Sequence, residues 1–315
     1  MASKNLLSPI AMLPPELMRD IFSFVACTAE WRRATLRLSQ VSQGFRRAVL
    51  DMSRLFTHAD WDHWAPPLLD LWCQRARAQL LTVNLSRWTL HHLSTGKDPL
   101  RQALLESLSR RWGTLDLHIL FWDRSVIGLV ERLLQCACPA LHTLSLWQPN
   151  SAGTMTLRLR LDCLPSLRTL CLSSIPVVFS ASPAPVTEVE YHYKDSRDLP
   201  RLLGVVSSCN DIQRLTLCNW DFAAYADHSN AFPATQVVLP SLTHLSLRGD
   251  LAGMIPRMTQ FLICCVIPNL ENLALQPYRW ISRTGDSLCR NVVRSSFCSY
   301  HMYSRLFCRR PISPV

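Results

Sequence analysis

Leu141-His142-Thr143-Leu144-Ser145-Leu146, with Pro139 two residues ahead of it, is the stretch that decides how this chain folds. Leu144 and Leu146 alternate with Thr143, Ser145 and Trp147, so an extended backbone would turn the leucines to one side and the others to the opposite side. The same apolar-x-x-apolar-x-apolar pattern returns as Leu167-Arg168-Thr169-Leu170-Cys171-Leu172, Ile212-Gln213-Arg214-Leu215-Thr216-Leu217, Leu242-Thr243-His244-Leu245-Ser246-Leu247 and Leu270-Glu271-Asn272-Leu273-Ala274-Leu275. Weaker copies begin at Leu80, Trp112 and Val186. Successive starts at 80, 112, 141, 167, 186, 212, 242 and 270 are 32, 29, 26, 19, 26, 30 and 28 residues apart. Pro139, Pro165, Pro240 and Pro268 each stand two residues before a copy and predict a common turn into the strand.

Apolar residues at helical spacing lie between copies, over Asp98 to Trp112, Arg124 to Cys136, Ser196 to Ser208 and Met254 to Val266. A strand, a loop and a helix repeated at this period resemble a leucine-rich-repeat solenoid over residues 78–282, a fold in which each unit buries its leucines only by stacking on its neighbours. The sequence departs from that family where Asn or Cys is usual three residues after the last leucine. Pro149, Ile175, Trp220, Asp250 and Tyr278 stand there, so an irregular solenoid is expected. The strand residues turned away from the leucines would line one face. Trp147, Arg214, His244 and Arg248 are its candidate substrate-binding residues, since Trp and Arg are common interface anchors. The middle row, Ser145, Cys171, Thr216, Ser246 and Ala274, is small and would allow close approach.

Ahead of the repeats, Leu13-Pro14-Pro15-Glu16-Leu17-Met18-Arg19-Asp20-Ile21-Phe22-Ser23-Phe24-Val25 predicts a short helix opened by proline, with Glu16 in its first turn and a wide apolar stripe. Glu30 to Val41 predicts a second helix with Trp31, Ala34, Leu38 and Val41 on one face. Ser42 is a candidate N-cap for a third, with Phe45, Ala48 and Val49 inward and Arg46 and Arg47 outward. Leu13 to Phe22, then Leu38-Ser39-Gln40-Val41-Ser42-Gln43-Gly44-Phe45-Arg46, then Leu55-Phe56, resemble an F-box over residues 10–57. Ser42 stands where that family commonly has Cys, and Phe45 and Phe56 where it has Trp. The resemblance implies a small three-helix module that binds a Skp-type adaptor. Leu13, Pro14, Leu17, Ile21, Phe22, Val41, Phe45 and Phe56 would be divided between adaptor contact and module core. Residues 58–77, with Asp60-Trp61-Asp62-His63-Trp64, would join module to repeats, and residues 283–315 would form a basic Cys- and Arg-rich tail.

At 48% hydrophobic and 18% charged the chain is globular in composition, and no secretory signal or membrane-length apolar run is visible. The thirteen cysteines are scattered, and Cys136-Ala137-Cys138 and Cys264-Cys265 lack a second ligand pair at zinc-site spacing, so no metal and no cofactor is expected. Glycine totals nine and no phosphate-cradling loop, nucleophile elbow or His-Glu-x-x-His occurs; His91-His92 reads as a solvated loop pair. The chain is therefore expected not to be an enzyme. The net charge of +10 includes six arginines from Arg283 onward, without the aromatic-basic interleaving of a nucleic-acid site.

Taken together the expected fold is α/β: a three-helix F-box-like module followed by an irregular leucine-rich-repeat solenoid. The function implied by the two resemblances is that of a substrate receptor in an SCF-type ubiquitin ligase, cytoplasmic or nuclear. Its partners would be a Skp-type adaptor, a cullin through it, and a substrate protein, with no membrane or nucleic acid. The alternative is a leucine-rich interaction scaffold outside any ligase.

Overall fold

The computed structural model describes residues 13–26, 31–119, 123–148, 156–173, 175–180, 185–193, 198–219, 236–249 and 261–277. The chain divides at Tyr278/Arg279, and every described residue belongs to the first unit. The architecture is mixed α/β, built on one eight-stranded sheet. Its strands are β1 (Leu81–Leu85), β2 (Trp112–His118), β3 (Thr143–Trp147), β5 (Thr169–Ser173), β7 (Glu188–Tyr193), β8 (Arg214–Asn219), β10 (His244–Gly249) and β12 (Asn272–Pro277). They lie in chain order and every neighbouring pair is parallel. Each of the eight hexapeptides, weak copies included, supplies one strand.

The reason is the period-2 leucine pattern. Leu144, Leu146, Leu170, Leu172, Leu215, Leu217, Leu245 and Leu247 are all buried. Each contributes about 1.5–3 kcal/mol relative to an exposed side chain. Slipping a strand by one residue would expose its whole set, so the pattern also sets the register. The prolines act as expected. Leu141, Leu167 and Leu242 donate their N–H to Cys138, Leu164 and Leu239, closing turns with Pro139, Pro165 and Pro240 at the second position, where the fixed φ of proline fits. In the first copy the register shifts between Leu81 and Thr82, and Leu81 is buried in line with Val83 and Leu85 while Leu80 is exposed. Gly113 sits beside this irregularity; a Cβ there would come within 2.9 Å of Leu80 Cβ.

The connections vary. α5 (Arg87–Ser94) and α6 (Pro99–Leu108) follow β1, α7 (Arg124–Gln135) follows β2, and α8 (Asp198–Ser207) follows β7. α7 buries Val126, Leu129, Val130, Leu133 and Leu134 and is capped by Asp123, which accepts from the N–H groups of Ser125 and Val126. Elsewhere the return is short strands: β4 (Leu157–Leu159) pairs with β6 (Val177–Phe179), and β9 (Val237–Val238) with β11 (Cys265–Val266), both in parallel. Three expectations need correction. The helix expected to Val266 gives way to β11, and its start at 254–260 lies outside the described residues. The helix expected over Asp98 to Trp112 ends before β2, which begins at Trp112. His91 and His92 lie on α5, not in a loop.

The N-terminal module consists of α1 (Pro15–Ala26), α2 (Trp31–Val41) and α3 (Gln43–Asp51), closed by a 3-10 turn at Ser53–Phe56. Ser42 caps α3 by accepting from the N–H of Phe45 at 3.1 Å. Phe45 packs edge-on against Phe22, with ring centroids 5.5 Å apart, and Phe56 does the same against Trp72 at 4.7 Å. Phe22, Phe45 and Phe56 are thus buried core residues.

The joint at 58–77 is no slack linker. It carries α4 (Pro66–Arg75), buries Trp61 and Trp72, and shares one hydrophobic core with both module and sheet. The Thr82 N–H donates to the Thr57 carbonyl at 2.9 Å, which ties the chain just before the joint to β1. The Asp62 carboxylate accepts from the Ser86 N–H at 3.0 Å and the Thr89 hydroxyl at 2.6 Å. It thereby caps α5 from a distance, where the Ser86 side chain makes no capping bond. The Arg101 guanidinium on α6 donates to the carbonyls of Trp61 and Trp64. Asp62→Ala leaves two donors without this acceptor and should cost about 1–3 kcal/mol in urea denaturation. An unchanged midpoint would show that the clasp carries no stability. Among the described residues no helix is long and apolar enough to cross a membrane.

Candidate functional site

Among the described residues, the candidate side chains fall on two surfaces. The first is on α1. Met18 and Phe22 face the core, one turn apart, whereas Leu17, Ile21 and Phe24 are 49%, 47% and 75% exposed. Pro14, Leu17, Ile21 and Phe24 follow helical spacing and form one apolar stripe open to solvent. Leu13 is half-buried at its start. Val41, at the end of α2, is 60% exposed. Such contiguous apolar exposure on a helix otherwise packed into a core marks a contact surface.

The second surface is the polar face of the sheet. The pairing registers align it in three rows. The first runs Thr114, Thr143, Thr169, Glu188, Arg214, His244 and Asn272. The second runs Asp116, Ser145, Cys171, Glu190, Thr216, Ser246 and Ala274. The third runs His118, Trp147, Ser173, His192, Cys218, Arg248 and Gln276. At about 4.8 Å per strand the eight strands span roughly 34 Å. Trp147 and Arg248 fall in one row, Arg214 and His244 are neighbours in another, so the four candidates share one face.

The weak copies supply what the sequence reading left out. Asp116 and Glu190 interrupt the small middle row, and His118 and His192 flank Trp147. The His118 and Trp147 rings lie nearly parallel, 13° between planes, and the Trp147 and His192 centroids are 4.4 Å apart. His192 Nε2 lies 2.9 Å from Glu190 Oε1, and the Cys218 thiol donates to the same oxygen at 3.6 Å. The hydrogen bond from His192, assisted by the Arg248 charge, holds the Glu190 carboxyl below its usual range. Arg214 Nη1 sits 3.7 Å from Glu188 Oε1, His244 Nε2 3.1 Å from Asn272 Nδ2, and Arg248 donates to Gln276 at 2.9 Å. The candidate anchors are thus pre-positioned by neighbours one strand away. Cys218, expected to face outward, belongs to this row but is buried.

Among the described residues of this face, neither Cys171 nor Cys218 is poised as a nucleophile. Burial pushes Cys218 up to about 12, with the Glu190 charge adding, and Cys171 up to about 11, so both stay protonated at neutral pH. The hydrogen bond to Asp116, 3.3 Å away, raises the pKa of His118 above its ordinary 6.5. A raised folded value means that the stabilisation is full below 6.5 and is lost as pH rises through the folded value. His118 is half exposed, so solvent screening keeps the gain small. An NMR titration should place its midpoint above 6.5 and Asp116→Asn should bring it down; a midpoint indifferent to that change would refute the coupling.

A cleft of about 330 Å³ between the joint and α5–α6 is lined by Asp62, His63, Trp88, His92, Asp98 and Arg101 among others. Its carboxylates already serve the fold: Asp62 caps α5, and Asp98 caps α6 and pairs with Arg101 at 2.8 Å. Comparison with known proteins adds no relative to this geometry: no protein-family model matches the chain and no curated protein matches it.

Proposed function

We propose that the chain is a substrate-recognition adaptor of a Skp/cullin/F-box ubiquitin ligase. The N-terminal module is read as an F-box that binds the Skp-type subunit. The strands and their connections are read as a leucine-rich-repeat solenoid whose polar face holds a substrate protein. In this reading the chain performs no chemistry of its own.

The observation that carries the reading is the apolar stripe of Pro14, Leu17, Ile21 and Phe24, exposed on α1 while Met18 and Phe22 of the same helix are packed inward. A helix that leaves three large apolar side chains in water on one face is built for a partner. The motif order Leu13-Pro14-Pro15-Glu16-Leu17, Val41-Ser42 and Leu55-Phe56 resembles an F-box and supports a Skp-type adaptor as that partner. The solenoid reading is supported by strand order equal to chain order and by one strand per repeat, the arrangement expected when each unit stacks only on its neighbours. The substrate reading is supported by Trp147, Arg214, His244 and Arg248 sharing one face with aromatic and charged neighbours.

The test is co-purification of the full chain with a Skp-type adaptor. Retention of adaptor and cullin supports the ligase reading. A chain that binds neither would instead be a leucine-rich scaffold outside any ligase.

A further inference from the structure

We propose that Glu190, His192 and Cys218 form a zinc-binding site on the polar face of the sheet, independent of the ligase reading. The three residues come from two adjacent strands, β7 and β8. Register alignment sets His192 directly beside Cys218, and Glu190 two residues before His192 on the same side. One ligand atom from each, a carboxylate oxygen, an imidazole nitrogen and a thiol sulfur, all lie within 4.8 Å of one another. These are the three donor types that zinc takes in proteins.

The distances fit. Zinc bonds of about 2.0–2.3 Å at tetrahedral angles place ligand atoms roughly 3.3–3.7 Å apart. Cys218 Sγ and Glu190 Oε1 are 3.6 Å apart. His192 Nε2 and Glu190 Oε1, at 2.9 Å, need to open by a few tenths of an ångström, which a small rotation of the partly exposed Glu190 side chain supplies. Binding breaks the Cys218 S–H bond, forms Zn–S, and releases the proton to water, as a coordinating thiol requires. A divalent ion with one thiolate, one carboxylate and a neutral imidazole carries no net charge, which suits a site where His192 and Cys218 are 3% and 2% exposed. The Trp147 ring packs beside the His192 ring, with centroids 4.4 Å apart. The fourth position is left for water or one donor from a docked partner. A thiolate–imidazole–carboxylate set favours zinc over the hard cations magnesium and calcium.

The sequence alone could not suggest this site, because zinc sites are sought as close cysteine pairs and here Cys218 is 26 residues from His192. The test uses the full chain, reduced, titrated with Zn(II) alone by calorimetry and with Co(II) alone by absorption. One ion should bind, with a thiolate-to-cobalt charge-transfer band. Cys218→Ser should abolish the band. Glu190→Gln should weaken binding by at least the roughly 10–100-fold seen when a metal ligand's supporting partner is removed. Cys136→Ser with Cys138→Ser should leave binding unchanged. Thermal melting checks the fold of each variant. If Cys218→Ser fails to fold, the partly exposed Glu190→Gln decides alone. No cobalt band in the wild type, a band that survives in Cys218→Ser, or affinity unaffected by Glu190→Gln would each overturn the proposal.

Discussion

Leu17→Ala with Ile21→Ala should abolish retention of a Skp-type adaptor while leaving the chain folded. Both side chains are about half exposed on the same face of α1, so removing them takes nothing from the core. Alanine is also the strongest helix former, so α1 should not fray. Exposed substitutions of this kind normally shift stability by no more than about 0.5 kcal/mol. Anchor residues of an interface cost about 2 kcal/mol or more each on truncation. The pair should then lose about 4 kcal/mol, close to a thousandfold in Kd. The comparison to make is Phe22→Ala, which opens the module core and should lose binding together with the fold. Wild-type affinity in the Leu17/Ile21 variant, measured by surface plasmon resonance against purified adaptor, would overturn the proposed contact face.

Trp112→Ala should be among the most damaging single changes in the sheet. Trp112 opens β2 at the position that leucine, valine or isoleucine holds in the other copies, and it is fully buried. Truncation should cost about 3–5 kcal/mol, because the surrounding side chains can collapse only partly into so large a void. The indole Nε1–H of Trp112 finds no acceptor among the described residues. A buried donor without a partner destabilises the fold, so Trp112→Phe removes that penalty along with part of the volume. Phenylalanine should therefore recover most of the stability that alanine loses, as read by urea denaturation. Equal losses for the two variants would mean that the indole makes a polar contact the fold depends on.

The strands were legible because burial on a pleated surface leaves a two-residue signature, and Leu141 to Leu146 carries it without interruption. The weak copies were harder to read for identifiable reasons. Tyr191 stands in a leucine position of β7, and Leu80 looks like the first leucine of its copy although Leu81 is the one buried. α5 was missed because Arg87 to Ser94 has little intrinsic helical signal, with Thr89 and two histidines in eight residues. Its N-terminus is held by Asp62, 24 residues upstream of the N–H it accepts. On α1 the apolar residues were visible, but not which of them would face water. Met18 and Phe22 turned inward and left Leu17, Ile21 and Phe24 outside.

By itself the sequence determined the strand identity of each repeat, the α/β class, and the turns at Pro139, Pro165 and Pro240, because these follow from local backbone chemistry and from a leucine period read within a few residues. The tertiary structure alone decided which side chains meet. Trp147, His192 and Cys218 come from three separate repeats, and the hydrogen-bond register between neighbouring strands sets them in one row. The leucine pattern inside each repeat fixes which residues share a row, but which repeats stand side by side comes from stacking buried leucines between units, a long-range packing effect.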